Sequence, residues 1–297
     1  MDQRLKKNLS IIGLLVVTAI WGGGFVASDV ALDSFTPMQI MTARFLLATI
    51  LMSIPLIIQK VRITRQEFGA GALIGFALFS GFGFQVIGLQ YTTPSKNAFL
   101  TALNVVMVPF ITFFLTHRKV AKREVFGTLL SVVGAGILSL NGLSGVGLGD
   151  GLTLLCAVGF AFQIALTGMF VHNCRVVALN FVQMLTAFIF SFASVLIIGE
   201  IHFSGSVQGW ISIGYLGAIS TALCYAIQTI CQQNLDETQS AVILSMESVF
   251  GMFFSVVLLG EQISPRKLIG SIVLLAGVIL ASLPNKAKEQ IQEKQTQ

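Results

Sequence analysis

The chain has 297 residues, of which 55% are hydrophobic and only 10% charged, with a mean hydropathy of +0.85. About a quarter of an ordinary soluble domain is charged, so this composition cannot build a water-facing surface. A net charge of +5 would suit nucleic acid, but the basic residues cluster in particular loops, and Cys156, Cys174, Cys224 and Cys231 lack the paired spacing of a zinc site or disulfide framework.

A helix crossing the hydrocarbon core needs about 20 mostly apolar residues. Ten such runs follow one another, near 9–28, 36–58, 68–90, 97–116, 124–142, 151–171, 178–199, 209–231, 239–259 and 265–283. The predicted fold class is therefore all-α, a polytopic membrane protein of ten transmembrane helices. Lys6 and Lys7, followed by an apolar stretch and Val26-Ala27-Ser28, also have the outline of a cleavable signal peptide. Trp21-Gly22-Gly23-Gly24 is a poor peptidase site, and cleavage would leave an odd number of spans, so this run is read as the first helix. The links are short and marked by Thr36-Pro37, Thr93-Pro94, the Gly-rich stretch 141–150 and Ser264-Pro265; none is long enough for a soluble domain.

Lys and Arg favour cytoplasmic loops. With the N-terminus inside, 14 of the 18 fall on the cytoplasmic side; Lys96, Arg266 and Lys267 fall outside, and Arg44 lies within a span. The expectation is a multi-pass plasma-membrane protein with both termini cytoplasmic. Its basic runs set topology and imply no nucleic-acid partner.

The chain also aligns with itself. Residues 98–141 match 241–284 at a constant offset of 143, with Val106/Val249, Phe110/Phe253, Arg123/Arg266, Gly127/Gly270 and Gly134/Gly277 among the identities. Five spans per half is an odd number, so the second half must enter the bilayer upside down. The charges agree: the basic loop 117–124 falls inside, while its counterpart 260–267 falls outside. The domains expected are two inverted five-helix repeats, 1–143 and 144–285, followed by a cytoplasmic tail, 286–297. Inverted halves are a common way to build secondary transporters, with the site near the midplane between them.

Several short strings occur in order along 9–283: Ile20-Trp21-Gly22-Gly23-Gly24-Phe25, Ala43-Arg44-Phe45, Gly88-Leu89-Gln90-Tyr91-Thr92-Thr93, Ser95-Lys96-Asn97-Ala98, Met246-Glu247-Ser248-Val249-Phe250 and Leu259-Gly260-Glu261. In these the chain resembles the drug/metabolite transporter superfamily, in its EamA-like branch. The resemblance implies ten helices, cytoplasmic termini and outward movement of small metabolites, often amino acids or drugs, without naming one cargo. The chain departs from it at Ser248, where proline is frequent, which removes the residue that would bend that helix.

Charged or strongly polar groups within a bilayer are costly and usually face the bundle interior or a water-filled cavity. Trp21, Arg44, Asn104, Gln163, Ser220, Thr221 and Glu247 lie near the centres of their spans, while Gln85, Gln183, Tyr225 and Gln228 lie somewhat away. The substrate-binding candidates are Trp21, Arg44, Asn104, Gln163, Tyr225 and Glu247. Glu247 would attract an amino group or take up a coupling proton; the structural alternative is an ion pair with Arg44, which would otherwise meet a carboxylate. Asn104 is the repeat counterpart of Glu247. Gly71 and Gly75 form a GxxxG read as packing, and Asp150, Glu200 and Glu261 are read as ordinary charges at helix ends.

Gly147-Leu148-Gly149-Asp150 matches the GxGD of intramembrane aspartyl proteases, but that chemistry needs a second aspartate within a neighbouring span and there is none. No metal site, cofactor motif or nucleotide-binding loop is expected. The leading expectation is a secondary transporter, not an enzyme, that exports a small metabolite such as an amino acid by alternating access. The alternatives are a membrane enzyme acting on a lipid-linked substrate and a passive facilitator. The implied partners are a small-molecule substrate and the lipid bilayer; the sequence carries no reading of oligomeric state.

Overall fold

The computed structural model describes residues 3–117, 122–139 and 147–282. The tail 286–297, the boundary between 143 and 144, and the basic residues Arg118 and Lys119 lie outside the described residues. Within them the chain forms ten helical rods: α1 (Gln3–Leu32), α2 (Pro37–Ile58), α3 (Arg65–Leu89), α4 (Pro94–Thr116), α5 (Lys122–Ser139), α6 (Leu148–Phe170), α7 (Val176–Ile198), α8 (Val207–Gln232), α9 (Glu237–Leu259) and α10 (Pro265–Ser282). All but α5 and α10 are by length and composition able to cross a membrane alone. Those two carry charged residues in their first turns and lie against each other.

The rod ends follow from local chemistry. Thr36 and Thr64 accept from the backbone N–H of Gln39 and Glu67, whose side chains bond back, so α2 and α3 each start on a capping box. His117 and Gly260 end α4 and α9 in the left-handed conformation, at φ 55° and 66°.

Two rods are broken, and in the same way. In α4, segments Pro94–Thr101 and Asn104–Thr116 flank a tight turn at Ala102-Leu103; in α9, segments Glu237–Leu244 and Glu247–Leu259 flank Ser245-Met246. At both turns N–H groups bond three residues back instead of four, as in Leu103 to Leu100 and Met246 to Ile243. Each bound of one rod is that of the other plus 143, as the repeat requires. The break in α9 needs no proline. Ser245 Oγ donates to Val242 O (2.7 Å) and Ser248 Oγ to Ser245 O (2.8 Å), each adding a second hydrogen bond to a carbonyl that already accepts a backbone N–H at the turn.

The inversion is visible where α5 meets α10. A Cβ on Gly134 would lie 2.3 Å from Leu274 N, and one on Gly277 2.5 Å from Ser131 N. These contacts exchange under the offset of 143 and run antiparallel, which defines a pseudo-two-fold axis between corresponding rods. Missing side chains let the backbones approach this closely. Gly277→Val is therefore expected to push α5 and α10 apart and to cost about 1–3 kcal/mol by overpacking. Thermal melts of the solubilised protein would read this as a lowered Tm, whereas Gly136→Ala, within the same helix and with nothing within 4 Å of its Cβ, should not lower Tm.

The remaining rods obey the same symmetry: α1 packs on α8 and α9, α6 on α3 and α4, and α2 on α7. Gly71 and Gly75 of α3 seat against Val182 and the Gln183 carbonyl of α7, a packing role. Three acidic residues read from sequence as ordinary helix-end charges instead tie the halves together. Asp150 of α6 holds Lys96 of α4 at 2.7 Å, both side chains buried. Glu200 accepts from the Thr36 hydroxyl. Glu261 accepts from Ser95 Oγ and from Lys267 Nζ, the latter at 2.8 Å.

Burial pushes the Glu261 carboxyl up, but the hydrogen bonds from Lys267 and Ser95 and the Lys267 charge outweigh it and leave the group below its ordinary range. A carboxyl depressed in the folded state contributes stability above its unfolded pKa of about 4.3 and loses it as pH falls through the lower, folded value. Acidification from pH 6 to pH 3 should thus lower Tm more in the wild type than in Glu261→Gln; equal slopes would show that this clamp carries no stability.

Candidate functional site

Where the two halves meet, α1, α2, α3, α4, α6, α8 and α9 line a partly open cavity. The broken rods supply its first two polar groups. Asn104 and Glu247 are the opening residues of the second segments of α4 and α9, so each stands at a helix N-terminus inside the bundle. A carboxylate gains from that end of the helix dipole. Among the described residues, no donor bonds to the Glu247 carboxylate, and Asn104 Oδ1 is buried without a partner.

The glycines of α1 place Trp21. A Cβ on Gly22 would lie 2.4 Å from Phe250 and 2.8 Å from the Gly251 backbone, so α1 and α9 touch directly there. Trp21 Nε1 then donates to Ser220 O (2.7 Å), and its ring lies 5.1 Å from that of Tyr225. Phe82 and Phe160 form the corresponding pair across the cavity at 4.8 Å. These four rings make apolar walls.

Arg44 reaches the cavity from α2. Its guanidinium carbon lies 3.8 Å from the centre of the Phe82 ring, and Nε and Nη2 donate to Thr221 Oγ1 (2.5 Å) and Ser220 Oγ (3.4 Å). Those hydroxyls face it because of a π-helical turn over Tyr215–Leu223 in α8. In α3, Gly75 packs on the Gln183 carbonyl seven positions before Phe82; in α8, Gly217 packs on the Arg44 carbonyl eight positions before Tyr225. The extra residue of α8 is absorbed by the wider π turn, a distortion that recurs at functional sites. Thr221 Oγ1 donates to Leu216 O five residues back, which leaves its lone pairs to Arg44.

The ion pair considered between Arg44 and Glu247 is not formed. Among the described residues the ion pairs are Lys96–Asp150, Arg175–Glu67 and Lys267–Glu261. Arg44, 2% exposed, is instead satisfied by hydroxyls and a ring face, and Glu247, 7% exposed, looks into the cavity. One space therefore holds a cation, a carboxylate, three amides and aromatic walls. Such a space suits a small molecule that carries both charges and an apolar body.

All six predicted residues, Trp21, Arg44, Asn104, Gln163, Tyr225 and Glu247, line this cavity. Sequence reasoning missed Gln85, Phe82, Phe160, Phe25 and Ser28 as lining residues and left Ser220 out of the candidates. A signal for Gln85 was present, since it and Gln228 are glutamines separated by the repeat offset of 143. Thr221 supports Arg44 without lining the cavity, and Gln183 and Gln228 lie behind it. Among the described residues no three His, Cys, Asp or Glu converge on a metal position.

The model of the EamA-like transporter family matches the chain twice, over 8–140 and 147–283. An "Uncharacterized transporter" of Archaeoglobus fulgidus is 33% identical over 281 residues, covering 95% of this chain and 88% of its own. A "Probable amino-acid metabolite efflux pump" of Salmonella typhimurium is 25% identical, covering 93% and 95%. A solved crystal structure with 16% identity superposes at a TM-score of 0.71 over 92% of this chain and 98% of its own, a likeness of fold alone.

Proposed function

The chain belongs to the EamA-like transporter family, and from that premise we propose that it is a secondary transporter exporting a small amphipathic metabolite, an amino acid or a close relative, by alternating access. The observation that carries the reading is a cavity between the inverted halves in which Arg44 and Glu247 are both present and unpaired with each other. The carboxylate of a zwitterion would meet Arg44 and its amino group Glu247, with the side chain between Trp21, Phe82, Phe160 and Tyr225. Asn104, Gln85 and Gln163 would take the remaining hydrogen bonds. The name of the Salmonella relative points the same way.

The moving bodies are residues 1–143 and 144–285, which rock about the axis between α5 and α10, with the tail 286–297 and both termini on the cytoplasmic face of the plasma membrane. Glu247, free of a fixed partner, is the residue that would take up a coupling proton. The reading as a carrier rather than an enzyme is supported by the transporter names of the relatives.

Uptake of labelled leucine and phenylalanine into proteoliposomes, with and without a pH gradient, tests this. Saturable flux supports a carrier, and its dependence on the gradient supports proton coupling. Flux that does not saturate favours a passive facilitator. Absence of flux for any amino acid removes the reading and returns the lipid-linked enzyme.

A further inference from the structure

The cavity is lopsided in a way that the repeat makes interpretable. Three of its polar lining residues, Ser28, Arg44 and Gln85, come from α1, α2 and α3 of the first half. Contacts fix their counterparts in the second half. The ring pair Trp21–Tyr225 mirrors Phe160–Phe82, which sets an offset of 139 from α1 to α6 and of 143 from this part of α3 to α8. Gly217 against the Arg44 carbonyl mirrors Gly75 against the Gln183 carbonyl, which sets 139 from α2 to α7. The counterparts of Ser28, Arg44 and Gln85 are therefore Thr167, Gln183 and Gln228.

None of these three lines the cavity. They are fully buried and joined to neighbouring polar groups. Gln228 Nε2 donates to Gln163 Oε1 (3.3 Å), Gln163 Nε2 to Thr167 Oγ1 (3.2 Å), and Gln183 Nε2 and Thr229 Oγ1 both donate to Asn180 Oδ1. The amide oxygens of Gln183, Gln228 and Gln232 are buried without a donor. A cluster needed only for packing would not carry so many polar groups with open valences, because apolar side chains of the same size would avoid that cost. The cluster begins at the cavity wall, at Gln163, and runs toward the end of the molecule that bears the N-terminus, where Asn234 of the loop after α8 bonds Ser10 of α1.

We propose that Thr167, Gln183 and Gln228 are a second vestibule of the transport path, closed in this structure, which opens toward the N-terminal end when the first one closes. The inference rests on the alternating-access reading above and adds which residues the second face uses. Inverted repeats exchange arrangements as the halves rock around a fixed site. The residues lining one entrance then predict those of the other. The two entrances differ in charge. Gln183 stands where Arg44 stands, so the second vestibule offers amides and hydroxyls and no fixed cation. In export, a carboxylate enters from the N-terminal end past neutral donors and meets a fixed cation only at Arg44.

Cysteine labelling tests the proposal without knowledge of the cargo. Gln85→Cys and Gln228→Cys would be made in a background with Cys156, Cys174, Cys224 and Cys231 replaced by Ala; all four are buried, so the native background serves if that one does not fold. A membrane-impermeant methanethiosulfonate is then applied to each face of sealed vesicles. The expected result is that Gln228→Cys reacts only from the face bearing the N-terminus and Gln85→Cys only from the other. Gln183→Cys should follow Gln228→Cys. In uptake assays Gln228→Leu should lose at least about tenfold of the saturable flux, and Gln228→Asn should recover part of it. If Gln228→Cys and Gln183→Cys stay unlabelled while Gln85→Cys reacts fully, or react from its face, the vestibule does not exist. Opposite-face labelling without amino-acid flux would keep the vestibule and overturn the amino-acid cargo; saturable flux with Gln228→Cys inert would do the reverse.

Discussion

Replacing Arg44 by Gln should lower saturable amino-acid uptake by about 10- to 100-fold, the range set by a charged hydrogen bond contributing about 1.5–3 kcal/mol. Arg44 is the cation lining the cavity, and its guanidinium is oriented by Thr221, Ser220 and the Phe82 face, not by an acid. Its charge is therefore available to a ligand carboxylate, and the loss should fall mainly on apparent affinity. Arg44→Lys keeps the charge but not the planar fork that stacks on Phe82, so it should recover only part of the flux. Glu247→Gln should produce a loss of similar size and, where the pH gradient drives uptake, remove that dependence. The melting temperature of each variant separates a lost site from a lost fold. Wild-type uptake in both Arg44→Gln and Glu247→Gln would assign these residues to helix packing and leave the cargo site elsewhere.

Breaking the Lys96–Asp150 pair should be strongly destabilising. The two charges are 2.7 Å apart with side chains 9% and 2% exposed, and they join α4 of one half to α6 of the other. Removing Lys96 leaves the buried Asp150 carboxylate without its cation in a low-dielectric interior, which costs about 3–5 kcal/mol. Lys96→Met and Asp150→Leu should each lower Tm sharply, while the double variant falls by much less than the sum of the two because no lone charge remains. Additive losses would show that the two groups do not act as a pair. Asp150 also caps α6 by accepting from Gly147 N (3.3 Å), so part of its effect should survive in the double variant.

The breaks in α4 and α9 show how far local chemistry reaches. The offset of 143 pairs Asn104 with Glu247 in the sequence, and the structure puts both at matching helix N-termini inside the bundle. The absence of proline at Ser248 misleads about the bend, because α4 makes the same break at Ala102-Leu103 with Val105, also not proline, at the equivalent position. Asp150 and Glu261 look like ordinary helix-end charges when read along the chain. They prove to be cross-links because their partners, Lys96 and Ser95, are distant in sequence and meet them only after the halves pack.

The sequence by itself determined the ten spans, the inverted halves and the short set of polar residues that a bilayer tolerates only in a shielded interior. Hydropathy, repeat offset and charge segregation are properties of neighbouring or equivalently placed residues, so they are readable without coordinates. Which of those polar groups face one another was decided by the rotation of each rod about its axis, which side-chain packing sets. An extra residue absorbed as a π turn in α8 aims Ser220 and Thr221 at Arg44, and that leaves Arg44 unpaired with Glu247. The same packing leaves Gln85 at the cavity while its counterpart Gln228 is sealed behind Gln163.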